Sequence, residues 1–236
     1  MELFIGLLII AVGAFCQSSS YVPINKVKEW SWESYWIVQG VFAWLLLPFL
    51  GALLAVPQGE SLFGLFAHAS TFNLLMTVLF GVLWGVGGLT FGLSMRYLGV
   101  ALGQSIALGT CAALGTIMGP VLLNAFFPEL NALQSLTSAV LIGVAVTLAG
   151  IAIIGVAGSM KAATLSEEEK KAAVKDFNFP KGITIALLAG FMSGCFNVGL
   201  EFGKDINFGD LTDPMFKTLP ATLLVTFGGF LKIGRA

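Results

Sequence analysis

Leu93-Ser94-Met95-Arg96-Tyr97-Leu98-Gly99 is a short polar patch between two long apolar stretches within residues 72–123. Each flank offers a helix of about 20 apolar residues, the length that crosses the hydrocarbon core of a bilayer. The pattern recurs. Seven apolar segments, 3–22, 34–56, 72–94, 100–124, 136–158, 182–201 and 217–231, alternate with polar breaks. The predicted fold class is all-α, a polytopic transmembrane helical bundle. The fifth segment, Leu136 to Gly158, carries no charge, and a helix apolar all round belongs in lipid or in a buried core.

Composition closes off other classes. Of the 236 residues 57% are hydrophobic and 11% charged, where a soluble domain carries about 25% charged residues. A net charge of −1 leaves no basic footprint for nucleic acid. Cys16, Cys111 and Cys195 each lie inside an apolar segment, a scatter that makes neither a disulfide framework nor a metal site. No phosphate-cradling loop or nucleophile elbow is present, so the expectation is a non-enzyme with no cofactor. Gly85-Val86-Gly87-Gly88 is Gly-rich but lies within an apolar helix. The first segment lacks a positive n-region, and Phe15 before Cys16 is too bulky for a lipoprotein cleavage site, so it reads as a retained helix.

Orientation follows the distribution of Lys and Arg between short loops. Lys26, Lys28, Arg96, Lys161, Lys170, Lys171, Lys175 and Lys181 share one side, and Lys204 and Lys217 the other. That places the N-terminus outside and the 159–181 loop in the cytoplasm of an inner-membrane protein. Within that loop Ser166 and Glu169 form a capping box, predicting a short amphipathic helix. Three regions result: a first five-helix repeat at 1–158, a cytoplasmic linker at 159–181 and the start of a second repeat at 182–236. Five helices are an odd number, so a second copy of the unit enters the membrane inverted, as in carriers built from inverted repeats.

Glycines four apart recur, as at Gly81 and Gly85, Gly115 and Gly119, Gly190 and Gly194, and Gly199 and Gly203. Small residues at that spacing let membrane helices approach closely. Pro48, Pro120 and Pro220 lie in or near apolar segments, where each removes a backbone donor.

Polar groups inside the membrane are costly and mark candidate sites. Glu201 ends the sixth segment beside Asn197, with Lys204 three residues on. A carboxylate leaving water favours its neutral form and so suits a proton carrier; a plain helix-end ion pair with Lys204 is the competing account. Gln39 and Gln104 offer amide donors and acceptors for hydroxyls, or for bonds between helices. Trp84 can stack on a pyranose face or simply pack. Trp30, Trp32, Tyr35 and Trp36 beside Lys26 and Lys28 read as an interfacial anchor. His68, the single histidine, falls in an outer loop.

Two stretches go further. Val22-Pro23-Ile24-Asn25-Lys26-Val27-Lys28-Glu29-Trp30-Ser31-Trp32-Glu33 resembles the first cytoplasmic loop of the L-rhamnose–proton symporter family. Leu83-Trp84-Gly85-Val86-Gly87-Gly88, with Gly92-Leu93-Ser94-Met95-Arg96 and Tyr97-Leu98-Gly99, resembles that family's third helix and its exit. The resemblance runs through the first repeat into the sixth helix. It implies membership of the drug/metabolite transporter superfamily, ten helices in two inverted five-helix repeats, and proton-coupled uptake of a sugar. On that pattern the sequence stops in or just after its seventh helix, so most of a second repeat is expected to be missing, with a partner as one source of the missing helices. Gln39 and Gln104 stand where small residues are expected, which opens the choice of sugar.

The expectation is a secondary carrier that moves L-rhamnose or a related sugar inward with a proton by alternating access. Gln39, Trp84, Gln104 and Asn197 would contact substrate, and Glu201 would carry the proton. A carrier or exporter of another small metabolite, and a non-transporting membrane sensor or accessory subunit, are the alternatives.

Overall fold

The computed structural model describes residues 2–19, 27, 30, 32–164, 166 and 177–233, and every regular element among them is helical. The chain divides into two compact units, Met1–Gly40 and Val41–Ala236. The first holds α1 (Glu2–Ser19) and α2 (Trp32–Gly40). Phe4, Leu7, Ile10 and Phe15 of α1 are exposed, a surface suited to hydrocarbon.

The second unit opens on a π-helical stretch, Val41–Leu46, that runs into α3 (Leu47–Leu54). Pro48 stands in the first turn of α3 and has no N–H for the turn before it, so the usual ladder is interrupted where the wider winding occurs. α4 (Leu62–His68) is short and capped by Ser61, whose hydroxyl accepts from the Gly64 N–H at 3.0 Å. Four long helices and a shorter one follow: α5 (Thr71–Leu98), α6 (Val100–Phe126), α7 (Ser138–Thr164), α8 (Phe179–Gly203) and α9 (Leu219–Ile233).

The polar patch after residue 92 is not a loop. α5 continues to Leu98, and the buried Ser94 hydroxyl donates to the Phe91 carbonyl at 2.7 Å, so its polarity is absorbed inside the helix. The break shrinks to Gly99, at φ 81 and ψ 162, a backbone conformation open essentially to glycine alone. α7 likewise runs past the predicted end to Thr164. The predicted linker helix and most of the Lys26–Trp36 belt fall outside the described residues or their described side chains.

Five stretches have span length and apolarity: Ile37–Leu54, Thr71–Leu98, Leu102–Phe126, Ser138–Lys161 and Phe179–Gly203. Phe4–Cys16 and Leu219–Lys232 are apolar but shorter. All seven expected segments are therefore helical, five of them at full span length. α1 ends in the polar run Gln17-Ser18-Ser19, which shortens its apolar part.

Within the second unit α8 lies between α5 and α6, α9 packs on α5, α3 on α9, and α7 on the flank of α6. Glycines set these approaches. Gly81 and Gly85 face the α9 backbone at Val225 and Gly229, while the absent side chain of Gly229 makes room for the Trp84 ring. Gly190 rests against Ala107 and Thr110 of α6, and Gly194 against Gly115. Gly203 rests against Ala221 and Thr77. Lipid tails are as apolar as leucine, so close van der Waals packing of this kind holds membrane helices together.

The two ends of this unit differ in charge. Arg96, Lys161 and Lys181 gather where α5 and α7 finish and α8 begins. There the Lys181 ammonium sits 4.5 Å from the Tyr97 ring centroid, and the Asn178 N–H donates to the Tyr97 carbonyl at 3.2 Å. The other end carries Glu60, Glu129, Glu201, Asp205, Asp210 and Asp213, with Lys204 and Lys217 as its cations. Lys217 pairs with Asp210 at 3.2 Å.

Candidate functional site

Asn197 and Glu201 stand one turn apart on α8, and each faces a glycine one turn apart on α6. A side chain at Gly115 would run into the Asn197 amide nitrogen, and a Cβ at Gly119 would lie 3.1 Å from Glu201 Cγ. α8 supplies the polar groups and α6 the space for them. Asn197 is exposed and Glu201 half-buried, so the seam is open on one side.

Glu201 Oε2 lies 3.9 Å from Lys204 Nζ, with the two side chains 43% and 44% exposed. That is the helix-end pair the spacing suggested, and a loose one. Exposed pairs of this kind contribute about 0–1 kcal/mol, which leaves the carboxylate available for another partner.

Below Glu201 the wall is aromatic. Phe202, 1% exposed, stacks on Phe80 with ring centroids 5.5 Å apart and planes 8° from parallel. Phe72, Phe126 and Phe127 meet the Phe202 ring at 6.0, 5.8 and 6.5 Å. Leu123 and Val198 complete this core.

A cavity of about 340 Å³ opens here, at the acidic end of the unit. Its lining combines the polar Asn73, Glu129, Glu201, Lys204 and Asp205 with the apolar Phe72, Leu123, Phe127, Leu130 and Phe202. Among the described residues, the Asn73 amide and the Asp205 carboxylate enter no side-chain hydrogen bond or ion pair.

Two other sequence candidates of this unit, Trp84 and Gln104, sit apart from it. Trp84 packs edge-on against Trp44 at 5.7 Å and Phe196 at 5.1 Å. Gln104 lies in the second turn of α6, eleven residues before Gly115, or about 16 Å along the axis. Gln39 belongs to the first unit, and its Oε1 is buried with no hydrogen-bond partner. His68 is exposed, with Nδ1 at 2.8 Å from the Gly64 carbonyl of its own helix. The structure thus brings Asn197 and Glu201 together and leaves Trp84 and Gln104 elsewhere in the bundle.

Apart from Glu201 and Lys204, sequence reasoning missed the cavity residues. Phe126-Phe127-Pro128-Glu129 and Glu201-Phe202 are the available signal, aromatic and acidic residues adjoining at helix ends. It also missed Thr110, 5% exposed, whose Oγ1 is buried without a partner where Gly190 meets α6. Such an orphan costs about 1–3 kcal/mol.

A family model described as "L-rhamnose-proton symport protein (RhaT)" matches residues 1–233. The L-rhamnose-proton symporter of Cronobacter sakazakii is 35% identical over 229 residues, covering 96% of this chain and 64% of its own length. That of an Enterobacter species is 34% identical over 223 residues, covering 93% and 62%. That of Escherichia coli is 33% identical over 226 residues, covering 92% and 61%. The chain spans less than two thirds of the length of these relatives. No solved structure matches it. With apolar helices of span length and a family match along almost its whole sequence, the chain is an integral membrane protein that belongs to the L-rhamnose-proton symport protein family.

Proposed function

We propose that this protein takes part in proton-coupled uptake of L-rhamnose, or a closely related sugar, across the bacterial plasma membrane. It acts as a secondary carrier by alternating access and carries out no covalent chemistry on its substrate. The observation that carries this reading is the family match over residues 1–233. The site agrees with it. A half-buried carboxylate, Glu201, lies one turn from an amide, Asn197, in a seam that glycines keep open. Glu201 is the proton carrier on this reading, with Lys204, Asp205 and Glu129 as the charged groups around it. Asn197, Gln39, Gln104 and Trp84 are substrate contacts along the path.

Residues 1–158 form one five-helix repeat, 159–181 its cytoplasmic linker, and 182–236 the opening of an inverted repeat. The exposed side of Asn197 is where further helices pack, from the same polypeptide or a partner. The basic end faces the cytoplasm and the acidic end the exterior, following the positive-inside bias.

The test is uptake of labelled L-rhamnose by cells lacking their own carrier, using this chain and a version extended to the relatives' length. Uphill uptake with alkalinisation of the medium is expected, and Glu201→Gln should abolish accumulation while sugar exchange persists. Uphill uptake unchanged in Glu201→Gln removes the proton role. No uptake by either version, with both present in the membrane, rejects the substrate.

A further inference from the structure

At the basic end of the second unit, exposed cations from α5, α7 and α8 meet around the turn between α5 and α6. Arg96 lies in the last turn of α5, Lys161 in the last turn of α7 and Lys181 in the first turn of α8. Glycines deliver the two lysines there. A Cβ at Gly182 would lie 2.5 Å from Leu98 Cγ and 3.1 Å from Tyr97 Cβ, so α8 starts directly against the turn. A Cβ at Gly158 would lie 2.7 Å from a methyl of Leu102, which brings the end of α7 against the first turn of α6. Lys181 immediately precedes Gly182, and Lys161 follows Gly158 by three residues. Packed helices lie about 8–10 Å apart, a gap that lysine and arginine side chains can bridge.

Tyr97 fixes one of these charges. The Lys181 ammonium sits 4.5 Å from its ring centroid, which orients the side chain and leaves N–H donors on the side away from the ring. Among the described residues of this unit, every carboxylate lies at the other end. Neither Lys161 nor Lys181 enters an ion pair with a described residue. The start of α8 is already capped, because the Asn178 side chain accepts from the Lys181 N–H at 3.1 Å. An anion here would therefore be held by side chains and not by the helix backbone.

The surface next to the cations is apolar. Ile153, Val156 and Met160 of α7 are exposed, and their spacing of three and four places them on one face leading up to Lys161. A soluble anion has no use for that stripe. An amphiphile does. We propose that this end binds an anionic phospholipid, its phosphodiester headgroup held by Lys161, Lys181 and Arg96 and an acyl chain lying along Ile153, Val156 and Met160. Basic residues where helices leave the membrane attract acidic headgroups, and here close helix packing gathers three of them at one turn. The site is independent of the carrier reading and stands or falls without it.

The intact protein in detergent is mixed with equal amounts of phosphatidylglycerol and phosphatidylcholine, and the retained lipids are counted by native mass spectrometry. Phosphatidylglycerol should be retained in preference. Lys161→Gln and Lys181→Gln should each lower that preference by about fivefold, and Lys181→Arg, which keeps the charge, should preserve it. Lys217→Gln removes one positive charge at the acidic end and should leave the preference unchanged. Lys161 is exposed, so its replacement leaves the fold intact. Equal retention of the two lipids by wild type, or a preference that survives both Lys161→Gln and Lys181→Gln, overturns the proposal. Displacement of the lipid by inorganic phosphate, but not by sodium chloride at equal ionic strength, makes this a soluble-anion site and overturns it too.

Discussion

Glu201 and Asn197 were legible as candidates because a carboxylate and an amide at the end of an apolar segment are expensive to keep in a membrane. The glycines opposite them were legible only as packing. The period-four repeat of Gly115 and Gly119 says that a neighbour comes close, and the neighbour proves to be the polar face of α8. A Cβ at Gly115 would meet the tip of the Asn197 side chain, which can swing aside, and no backbone atom lies nearer than the Gly194 Cα at 3.5 Å. Gly115→Ala should therefore leave thermal stability in nanodiscs unchanged. Moving the amide should weaken sugar affinity about tenfold, or 1.4 kcal/mol. A melting curve and a binding isotherm on one sample check both halves. A large loss of stability with affinity intact would make Gly115 purely structural. Trp84 illustrates what sequence could not resolve. An aromatic in a membrane helix stacks equally well on a sugar or on protein rings, and only the fold shows that Trp44 and Phe196 lie against Trp84.

The helices themselves were readable from apolar length, and their boundaries were not. Hydropathy drops at Ser94 and Arg96, yet the helix continues because a serine hydroxyl can bond its own backbone and an arginine can reach the membrane surface. Glycine at 99, with its positive φ, is the true terminator. Pairing between helices was equally hidden. Gly81 and Gly85 announce a close neighbour without naming it, and it is α9, 130 or more residues further along the chain. This contact differs in kind from that at Gly115. A Cβ at Gly85 would lie 2.6 Å from the Gly229 carbonyl oxygen and 3.0 Å from its Cα, so only a shift of helix backbone can relieve it. Overpacking of that sort costs about 1–3 kcal/mol. Gly85→Ala should lower the midpoint of thermal aggregation measured by size-exclusion chromatography in detergent. An unchanged midpoint would mean that α9 is not held against α5 in the folded protein.

The placement of charge makes the cavity's position a statement about sidedness. Arg96, Lys161 and Lys181 cluster at one end of the second unit, while Glu129, Glu201 and Asp205 surround the cavity at the other. Lysine and arginine in short loops stay on the cytoplasmic side, so the proposed orientation has the cavity open outward. The sequence supported this sidedness from its loops, and folding adds that the acidic residues converge on one opening. Glu129 is exposed and Lys161 ends α7, so each can be replaced with little effect on packing. In intact cells Glu129→Cys should react with a membrane-impermeant maleimide, and Lys161→Cys only after permeabilisation. The reverse pattern would turn the cavity to the cytoplasm.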